Sequence, residues 1–336
     1  MKKFSRRRHG DGRMKITILI REPVNVESNS GSLPAPLRGI IPPMVTPLLD
    51  RDSLDVAGLE RLIEHILAGG VHGLFILGTT GEAPSLSYRL RFELIERVCA
   101  QVKQRVPVLV GITDTSFVES VTIACKARDA GAQAVVLAPP YYFPAGQVEL
   151  LEYLKHLTPE LPLPLFLYNM PSYTKAVFEP ATVRAAANIT GIAGLKDSSG
   201  NMVYFHRLQS LLKDRPDFTL LMGPEELLAE AIFLGAHGGV CGGANLIPQL
   251  YVDLYNAACS RDLSAAGALH SRVMQISSTI YSVGKYESSY LKGLKCALSC
   301  MDICSDFLAE PFHHFRRAER NVIRRHLKEL GIVQKR

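Results

Sequence analysis

The sequence contains no tryptophan, and only 21% of its 336 residues are charged. With 47% apolar residues, it has neither the composition of a disordered chain nor that of a collagen. It also lacks any stretch of the roughly 18 apolar residues that a transmembrane helix needs. The seven cysteines are odd in number and do not have the spacing of a disulfide framework, so we interpret them as reduced thiols. These absences predict a globular cytosolic protein that does not associate with a membrane.

The central part of the chain also lacks positive charge. Residues 1–36 carry +5 and residues 313–336 carry +6, which leaves residues 37–312 at −5 within a net charge of +6. A surface that binds nucleic acid would require a basic body, so we predict no nucleic-acid partner. Residues 1–36 end in a polar, Gly/Ser/Pro-rich stretch and are predicted to form a disordered basic extension. The alternatives are a true start at Met14, or a nucleic-acid or membrane role for the basic cluster.

Short apolar runs alternate with amphipathic stretches from residue 37 onward. The runs cover residues 39–45, 73–77, 107–112, 134–138, 164–168, 191–195, 218–222 and 238–241. They are apolar almost throughout, as expected for parallel strands buried on both faces. Eight such strands alternating with helices predict an α/β fold, a (β/α)8 TIM barrel, over residues 37–260. A doubly wound sheet is the alternative, but the glycine fingerprint expected after its first strand is missing.

The strand pattern stops after Pro248. The remaining sequence has the periodicity of a last barrel helix followed by about three more helices. We therefore predict a C-terminal helical appendage over residues 261–336.

Polar residues directly follow several of the predicted strands. They lie in residues 78–82, 139–142, 168–172 and 196–200, and they include hydroxyls, phenols and one lysine. Because catalytic groups of a TIM barrel lie at the carboxyl ends of its strands, these side chains are expected to meet at one rim. This set suits neither a metal site nor a Ser-His-Asp triad. We therefore expect chemistry that needs no metal and no organic cofactor.

Lys196 is the main candidate for a catalytic residue. It closes an apolar strand, and desolvation there favours the neutral amine over the ammonium ion. A neutral lysine amine attacks carbonyl carbons and forms a Schiff base. The alternative is a structural lysine whose ammonium group reaches solvent at the rim.

Three segments resemble the signature segments of one enzyme family. Residues 78–82, 168–172 and 194–197 are similar to those of the dihydrodipicolinate synthase / N-acetylneuraminate lyase family, in the same order and with Lys196 28 residues after Tyr168. The resemblance extends from about Leu37 to Leu330. It implies a lyase of the class I aldolase type on a TIM barrel, with pyruvate or another 2-oxo acid as substrate. It also implies a homo-oligomer, usually a tetramer.

The resemblance implies roles for four side chains in the reaction. Lys196 would form the imine with the keto carbon of the substrate. Tyr168 would be the general acid and base, and Thr79 would connect it to Tyr142. Tyr142 would reach the site from a neighbouring subunit.

Further residues would bind the substrate. Thr80 and the N–H groups of the turn from Gly78 to Gly81 would hold the substrate carboxylate, because such a turn aims N–H groups at an anion. Gly223 and Val240 match positions that line the pyruvate pocket, although turn geometry and core packing explain them nearly as well.

Tyr173 indicates which substrate is used. Family members that make dihydrodipicolinate carry an arginine at this position, which grips the carboxylate of aspartate semialdehyde. A phenol brings neither the charge nor the bidentate fork of arginine, and Lys175, two residues on, is expected to face solvent. The sequence therefore favours a 2-keto-3-deoxy sugar acid or a 4-hydroxy-2-oxo acid. The alternatives are dihydrodipicolinate synthesis, N-acetylneuraminate cleavage and, outside the enzymes, a keto-acid sensor on the same barrel.

Two other patterns have simpler explanations than ligand binding. Cys296, Cys300 and Cys304 recur every fourth residue, as small buried residues on a helix do, and their spacing is not that of a zinc site. Gly242 and Gly243 follow the last strand without the lysine of a phosphate-binding loop. We expect the cysteines to pack in the core and the glycines to close the eighth strand.

Overall fold

The computed structural model describes residues 33–333 of the chain. The prediction of a disordered extension therefore falls almost entirely outside the described residues. The predicted site residues and the predicted barrel lie within them, and the predicted C-terminal helical region does so up to residue 333.

The strands form a barrel in which every neighbouring pair is parallel. In chain order the strands are β1 (Gly39–Ile40), β2 (Leu48–Asp50), β3 (Ser53–Leu54), β4 (Leu74–Ile76), β5 (Val108–Gly111), β6 (Ala134–Leu137), β7 (Leu165–Asn169), β8 (Ile192–Asp197), β9 (Thr219–Met222) and β10 (Gly238–Gly239). Around the barrel the order is β1, β10, β9, β8, β7, β6, β5 and β4, and a separate antiparallel hairpin joins β2 to β3. The circle closes between β4 and the segment after β1, where the N–H of Met44 donates to the Phe75 carbonyl oxygen at 2.8 Å.

Twelve α-helices are described within residues 33–333. They are α1 (Val56–Ala68), α2 (Tyr88–Val102), α3 (Phe117–Asp129), α4 (Gln147–Leu157), α5 (Pro171–Thr174), α6 (Pro180–Ala186), α7 (Met202–Leu211), α8 (Leu228–Phe233), α9 (Pro248–Cys259), α10 (Leu263–Thr279), α11 (Ser289–Cys300) and α12 (Arg317–Glu329). None of them combines the length and the apolar character that crossing a membrane requires.

Local sequence explains where the helices begin and which face they bury. The side chain of Asp55 accepts the N–H of Gly58 at the start of α1, and that of Ser87 accepts the N–H of Leu90 at the start of α2. Buried residues of α1 recur at helical spacing, which places one apolar stripe of the helix against the barrel.

Apolar side chains form two clusters. The larger one fills the space between the strands and the surrounding helices. The smaller one fills the barrel interior and includes Phe75, Phe166, Tyr168, Leu221 and Val240. The interior of the barrel is therefore a packed core, and the rim above it is the place for a site.

The fold predicted from the sequence is confirmed. Each of the eight predicted apolar runs overlaps one barrel strand, and three helices, α10 to α12, follow the last barrel helix α9. The division of the chain between residues 260 and 261 stays a prediction. The β2–β3 hairpin was not predicted.

Helix α11 packs onto the carboxyl-terminal rim of the barrel. The ammonium group of Lys295, which is fully buried, donates to the carbonyl oxygen of Thr46 at 2.8 Å and to the carboxylate of Glu82 at 2.6 Å. The second carboxylate oxygen of Glu82 accepts the N–H of Ala309 at 2.8 Å. Since a buried charge needs a partner, this ion pair fixes α11 to the turn that follows β4.

Candidate active site

The turn after β4 is held in a conformation that few residues adopt. Leu77 and Glu82, which bracket it, have φ angles of +56° and +57°. A left-handed conformation at such residues costs about 1–3 kcal/mol each and persists only where the surroundings enforce it. Here Leu77 is buried, the carboxylate of Glu82 is bound on both oxygens, and the hydroxyl of Thr46 donates to the Gly81 carbonyl oxygen at 2.7 Å. The turn is thereby fixed, and so are the two threonines that it carries.

Lys196 and Tyr168 lie side by side on adjacent strands. They are register partners of β8 and β7, so both side chains point the same way from the sheet. The ammonium nitrogen of Lys196 lies 4.1 Å from the ring centroid of Tyr168 and 5.2 Å from that of Phe75. Lys196 is only 6% exposed. The side chain of Lys196 is therefore buried against two aromatic rings at the end of an apolar strand.

The two threonines of the turn each contact a phenol. The hydroxyl of Thr79 lies 3.2 Å from that of Tyr168, and the hydroxyl of Thr80 lies 3.2 Å from that of Tyr290. In each pair either oxygen can be the donor. Thr79 and Tyr168 thus form a pair of hydroxyl groups beside Lys196 that could pass a proton to or from a bound substrate.

A cavity of about 480 Å³ opens above these residues. Its lining contains many hydroxyl groups: Thr79, Thr80, Ser85, Thr113, Tyr141, Tyr168, Tyr173, Thr174, Tyr286, Ser288 and Tyr290. Among the described residues, no lysine, arginine or histidine lines it, and its charged lining residues are Glu82 and Glu287. Lys196 does not line the cavity, but its nitrogen packs against the ring of the lining residue Tyr168. The cavity therefore offers neutral donors and one free carboxylate to whatever enters it.

Tyr173 stands in this cavity on the one-turn helix α5. Burial raises the pKa of its phenol, and the nearby carboxylate of Glu287 raises it further, so the phenol stays protonated. Lys175 is exposed instead, and its ammonium group donates to the Ser172 carbonyl oxygen at 2.7 Å. Lys175 thus does not supply the positive charge that Tyr173 lacks.

Not every predicted site residue comes to the cavity. Gly78 lines it, but Gly81 does not, and the N–H of Gly81 already donates to the Gly78 carbonyl oxygen at 3.1 Å. Gly223 and Val240 lie in the barrel wall, where their N–H groups donate to strand carbonyls at 2.7 and 2.8 Å. The substrate-binding roles of these three residues stay predictions, and the structure gives each of them a place in the framework.

Tyr142 does not line the cavity of its own chain. Its side chain is 78% exposed and its ring packs edge-on against Phe143, with centroids 5.3 Å apart. The adjacent Tyr141 lines the cavity instead. A role for Tyr142 in catalysis therefore requires the site of a second chain, as the resemblance implies.

The sequence did not single out Tyr290, Glu287 or Lys295. All three come from the C-terminal helical region, more than 200 residues from the turn that they approach. No local motif marks them, because their proximity to the turn depends on how α11 packs on the barrel. The one signal that the sequence offered is that Lys295 lies within a mostly apolar helical stretch, where a charge needs a partner.

The fold and the site define the class of protein. It is a TIM-barrel lyase in which a buried lysine lies beside a tyrosine at the carboxyl ends of the strands. The model of the Dihydrodipicolinate synthetase family matches residues 36–330, and the chain belongs to this family.

Solved structures and curated relatives agree with this assignment. The dihydrodipicolinate synthase of Bacteroides thetaiotaomicron has a similar structure, with a TM-score of 0.86 and 61% identity over 88% of this chain and 99% of that one. The 4-hydroxy-tetrahydrodipicolinate synthase of Pseudomonas syringae is 30% identical over 88% of this chain and 99% of its own length. The putative 2-dehydro-3-deoxy-D-gluconate aldolase YagE of Escherichia coli is 32% identical over 71% of this chain and 80% of its own. The chain thus belongs to a family whose members are named for different substrates.

Proposed function

We propose that the protein is a class I aldolase that forms a Schiff base with pyruvate or another 2-oxo acid at Lys196. The observation that carries this is the contact between the desolvated amine and Tyr168, whose hydroxyl lies 3.2 Å from that of Thr79. A structure of YagE in complex with pyruvate, with a TM-score of 0.83 and 28% identity over 88% of this chain and 99% of that one, supports the choice of ligand.

The geometry suggests how the reaction proceeds in the cleavage direction. The amine of Lys196 adds to the keto carbon, water leaves, and a protonated imine forms. Tyr168 takes the proton from the hydroxyl two carbons away from the keto carbon and passes its own proton to Thr79. The carbon–carbon bond breaks at the same time, and the protonated imine accepts the electron pair as an enamine. The aldehyde leaves, Tyr168 returns the proton to the enamine carbon, and water releases pyruvate. Thr79 would relay the proton to and from Tyr168.

The lining of the cavity favours a neutral, hydroxylated aldehyde as the second product. Hydroxyl groups surround the space beyond Tyr168, and the exposed carboxylate at the mouth is that of Glu287. An aldehyde with its own carboxylate would meet Tyr173 and Glu287 where it needs a cation. We therefore favour a 2-keto-3-deoxy sugar acid or a 4-hydroxy-2-oxo acid as substrate.

Dihydrodipicolinate synthesis is the second candidate. The 61% identity to the dihydrodipicolinate synthase of Bacteroides thetaiotaomicron favours it. In that reaction the enamine of pyruvate would attack aspartate semialdehyde, whose carboxylate would need a partner other than an arginine at position 173. N-acetylneuraminate cleavage ranks third, because that branch of the family usually has serine where Thr79 stands.

The first test is to trap the imine. Pyruvate and borohydride together should give a stable adduct that peptide mass spectrometry locates on Lys196. The Lys196→Ala protein and the same mixture without pyruvate are the controls. An adduct on another lysine, or none, would contradict the proposed chemistry.

The second test compares substrates. We expect kcat/KM for 2-keto-3-deoxy sugar acids to exceed that for aspartate semialdehyde. Replacing Tyr173 by arginine should raise the value for aspartate semialdehyde roughly 30- to 150-fold, because it restores a charged, bidentate contact. Efficient use of aspartate semialdehyde by the unmutated protein, with no gain in Tyr173→Arg, would favour the second candidate.

Two further expectations belong to this proposal. The homo-oligomer follows from the role assigned to Tyr142, and a tetramer rests on the family resemblance. A cytosolic location rests on the number and spacing of the cysteines, as argued from the sequence.

A further inference from the structure

Tyr290 lies next to Thr80 in the cavity and has no role in the reaction proposed above. It lines the cavity from helix α11, and its hydroxyl lies 3.2 Å from that of Thr80. Thr80 is the residue expected to hold the carboxylate of the 2-oxo acid. Two hydroxyl groups from distant parts of the chain therefore meet where this anion is expected to bind.

The chain makes room for this hydroxyl after the last barrel strand. A side chain at Gly242 would place its β-carbon 1.8 Å from the hydroxyl oxygen of Tyr290. A β-carbon at Gly243 would lie 1.9 Å from the hydroxyl oxygen of Tyr251. The glycine pair thus has a second use besides closing the strand, because it allows two phenols to approach the backbone.

A buried hydrogen-bond network lies behind Tyr290. The ring of Tyr281 packs edge-on against that of Tyr290, with centroids 4.8 Å apart. The hydroxyls of Tyr281 and Tyr251 donate to one oxygen of the Glu225 carboxylate at 2.7 and 2.6 Å, and the N–H of Gly243 donates to the other at 2.8 Å. Every polar group of this layer is thereby satisfied within the protein. Tyr290 rests on a fixed support, with its hydroxyl turned to Thr80.

Tyr290 has the chemistry of a neutral donor to an anion. Burial raises the pKa of its phenol, so the hydroxyl keeps its proton at neutral pH. Among the described residues, no cation lines the cavity, so a substrate carboxylate there depends on hydroxyl and N–H donors. Because hydrogen bonds to a charged oxygen are stronger than those between neutral groups, each such donor contributes to the binding of the carboxylate.

We propose that Tyr290 is a substrate-binding residue whose hydroxyl, together with that of Thr80, holds the carboxylate of the 2-oxo acid. The proposal rests on the proposed function for the identity of the substrate. It adds a contact from the C-terminal helical region, so this region would help to form the carboxylate site. It also assigns a function to Gly242, which leaves space for the phenol.

The test measures how much pyruvate is needed to reach half-maximal trapping on Lys196. Tyr290→Phe removes one donor, and we expect this concentration to rise about 10- to 100-fold. Methyl pyruvate, which has the same keto carbon but no anionic carboxylate, should be trapped equally well by both proteins. Tyr204→Phe is the matched control, because it also removes a buried phenol bond, to the Phe178 carbonyl oxygen at 2.6 Å, away from the cavity.

Each result of the trapping experiment either supports or contradicts the role of Tyr290. An unchanged pyruvate requirement in Tyr290→Phe, or an equal loss for pyruvate and methyl pyruvate, would overturn the proposal. If Tyr290→Phe does not fold, Gly242→Ala should give the same selective loss for pyruvate, since it displaces the hydroxyl. Equal losses for the two ketones in Gly242→Ala would again overturn it.

A failure of the proposed function would be visible separately. If the unmutated protein forms no adduct on Lys196, the imine chemistry is wrong. Calorimetric binding of pyruvate to Lys196→Ala and to Lys196→Ala/Tyr290→Phe then tests the carboxylate contact alone. Weaker binding to the double variant would support the role of Tyr290, and equal binding would refute it.

Discussion

Glu225 shows how strongly one residue of this molecule depends on its surroundings. Its carboxyl group is buried, and three donors from Tyr251, Tyr281 and Gly243 reach it. Burial raises its pKa to about 7, although the hydrogen bonds act in the opposite direction. The folded protein therefore favours the protonated form of Glu225 relative to the unfolded chain.

This shift predicts a pH-dependent stability. Below the unfolded pKa of 4.5 the carboxyl group is protonated in both states, and its favourable contribution is complete. Between pH 4.5 and about 7, Glu225 ionises more readily in the unfolded chain than in the folded protein. Its favourable contribution to stability is therefore lost as the pH rises through this range. Relative to Glu225→Gln, the unmutated protein should therefore lose about 3 kcal/mol of unfolding free energy between pH 4.5 and 7.

Urea unfolding of both proteins at a series of pH values measures this difference. Glu225→Gln keeps the shape of the side chain and removes its titration. A difference that stays constant with pH would show that the folded and unfolded states ionise alike.

At the scale of the elements, helix α11 and the turn after β4 depend on the ion pair between Glu82 and Lys295. Both side chains are almost completely buried, and the two charged atoms lie 2.6 Å apart. Breaking a buried pair leaves one charge without a partner and costs about 3–5 kcal/mol. We expect Lys295→Met to lower the unfolding free energy by that amount and to weaken pyruvate trapping, because the turn carries Thr79 and Thr80.

The exposed pair of Arg105 and Glu64 provides the control. Its side chains are 44% and 53% exposed, so Arg105→Met should cost less than about 1 kcal/mol. Adding Glu82→Gln to Lys295→Met should restore part of the lost stability, since it removes the unpaired charge. Equal losses in the buried and exposed variants, measured by urea unfolding, would show that the buried pair is not what fixes the turn.

The elements also show what could be predicted from the sequence. Apolar runs of four to seven residues located all eight barrel strands, because parallel strands covered on both faces leave a strong local signal. The same pattern placed Lys196, Tyr168 and Thr79 at the strand ends. The β2–β3 hairpin was missed because its strands have only two or three residues, too few for an alternating pattern to show in the sequence.

The part of the site that comes from α11 could not be predicted in this way. Tyr290 and Lys295 reach residues more than 200 positions away, and their roles depend on how a helix packs over the rim. Gly81 also illustrates the limit of a motif. The glycine-bracketed motif predicts a free N–H group at Gly81, whereas the fold of the turn directs this group to the Gly78 carbonyl oxygen.

At the scale of the whole molecule, the exposed Tyr142 bears on whether one chain is sufficient for activity. Tyr142 and Phe143 are 78% and 79% exposed, and their rings pack against each other next to the cavity-lining Tyr141 in the sequence. Exposed apolar groups of this kind are typical of surfaces that meet another protein. A second copy of the chain would cover them, and Tyr142 of the first chain could then lie near Thr79 of the second.

Complementation between two inactive variants tests this arrangement. Tyr142→Phe should fold and form the Lys196 adduct, yet lose most of its turnover because the phenol that relays the proton is gone. Mixed in equal amounts with Lys196→Ala under conditions that allow subunit exchange, it should regain up to about a quarter of the unmutated activity. Half of the sites then have an intact Lys196, and half of those have a neighbour with an intact Tyr142. Tyr88→Phe, which alters a tyrosine outside the cavity lining, should keep full turnover. Full activity of Tyr142→Phe, or of a monomer isolated on a sizing column, would show that each chain works alone.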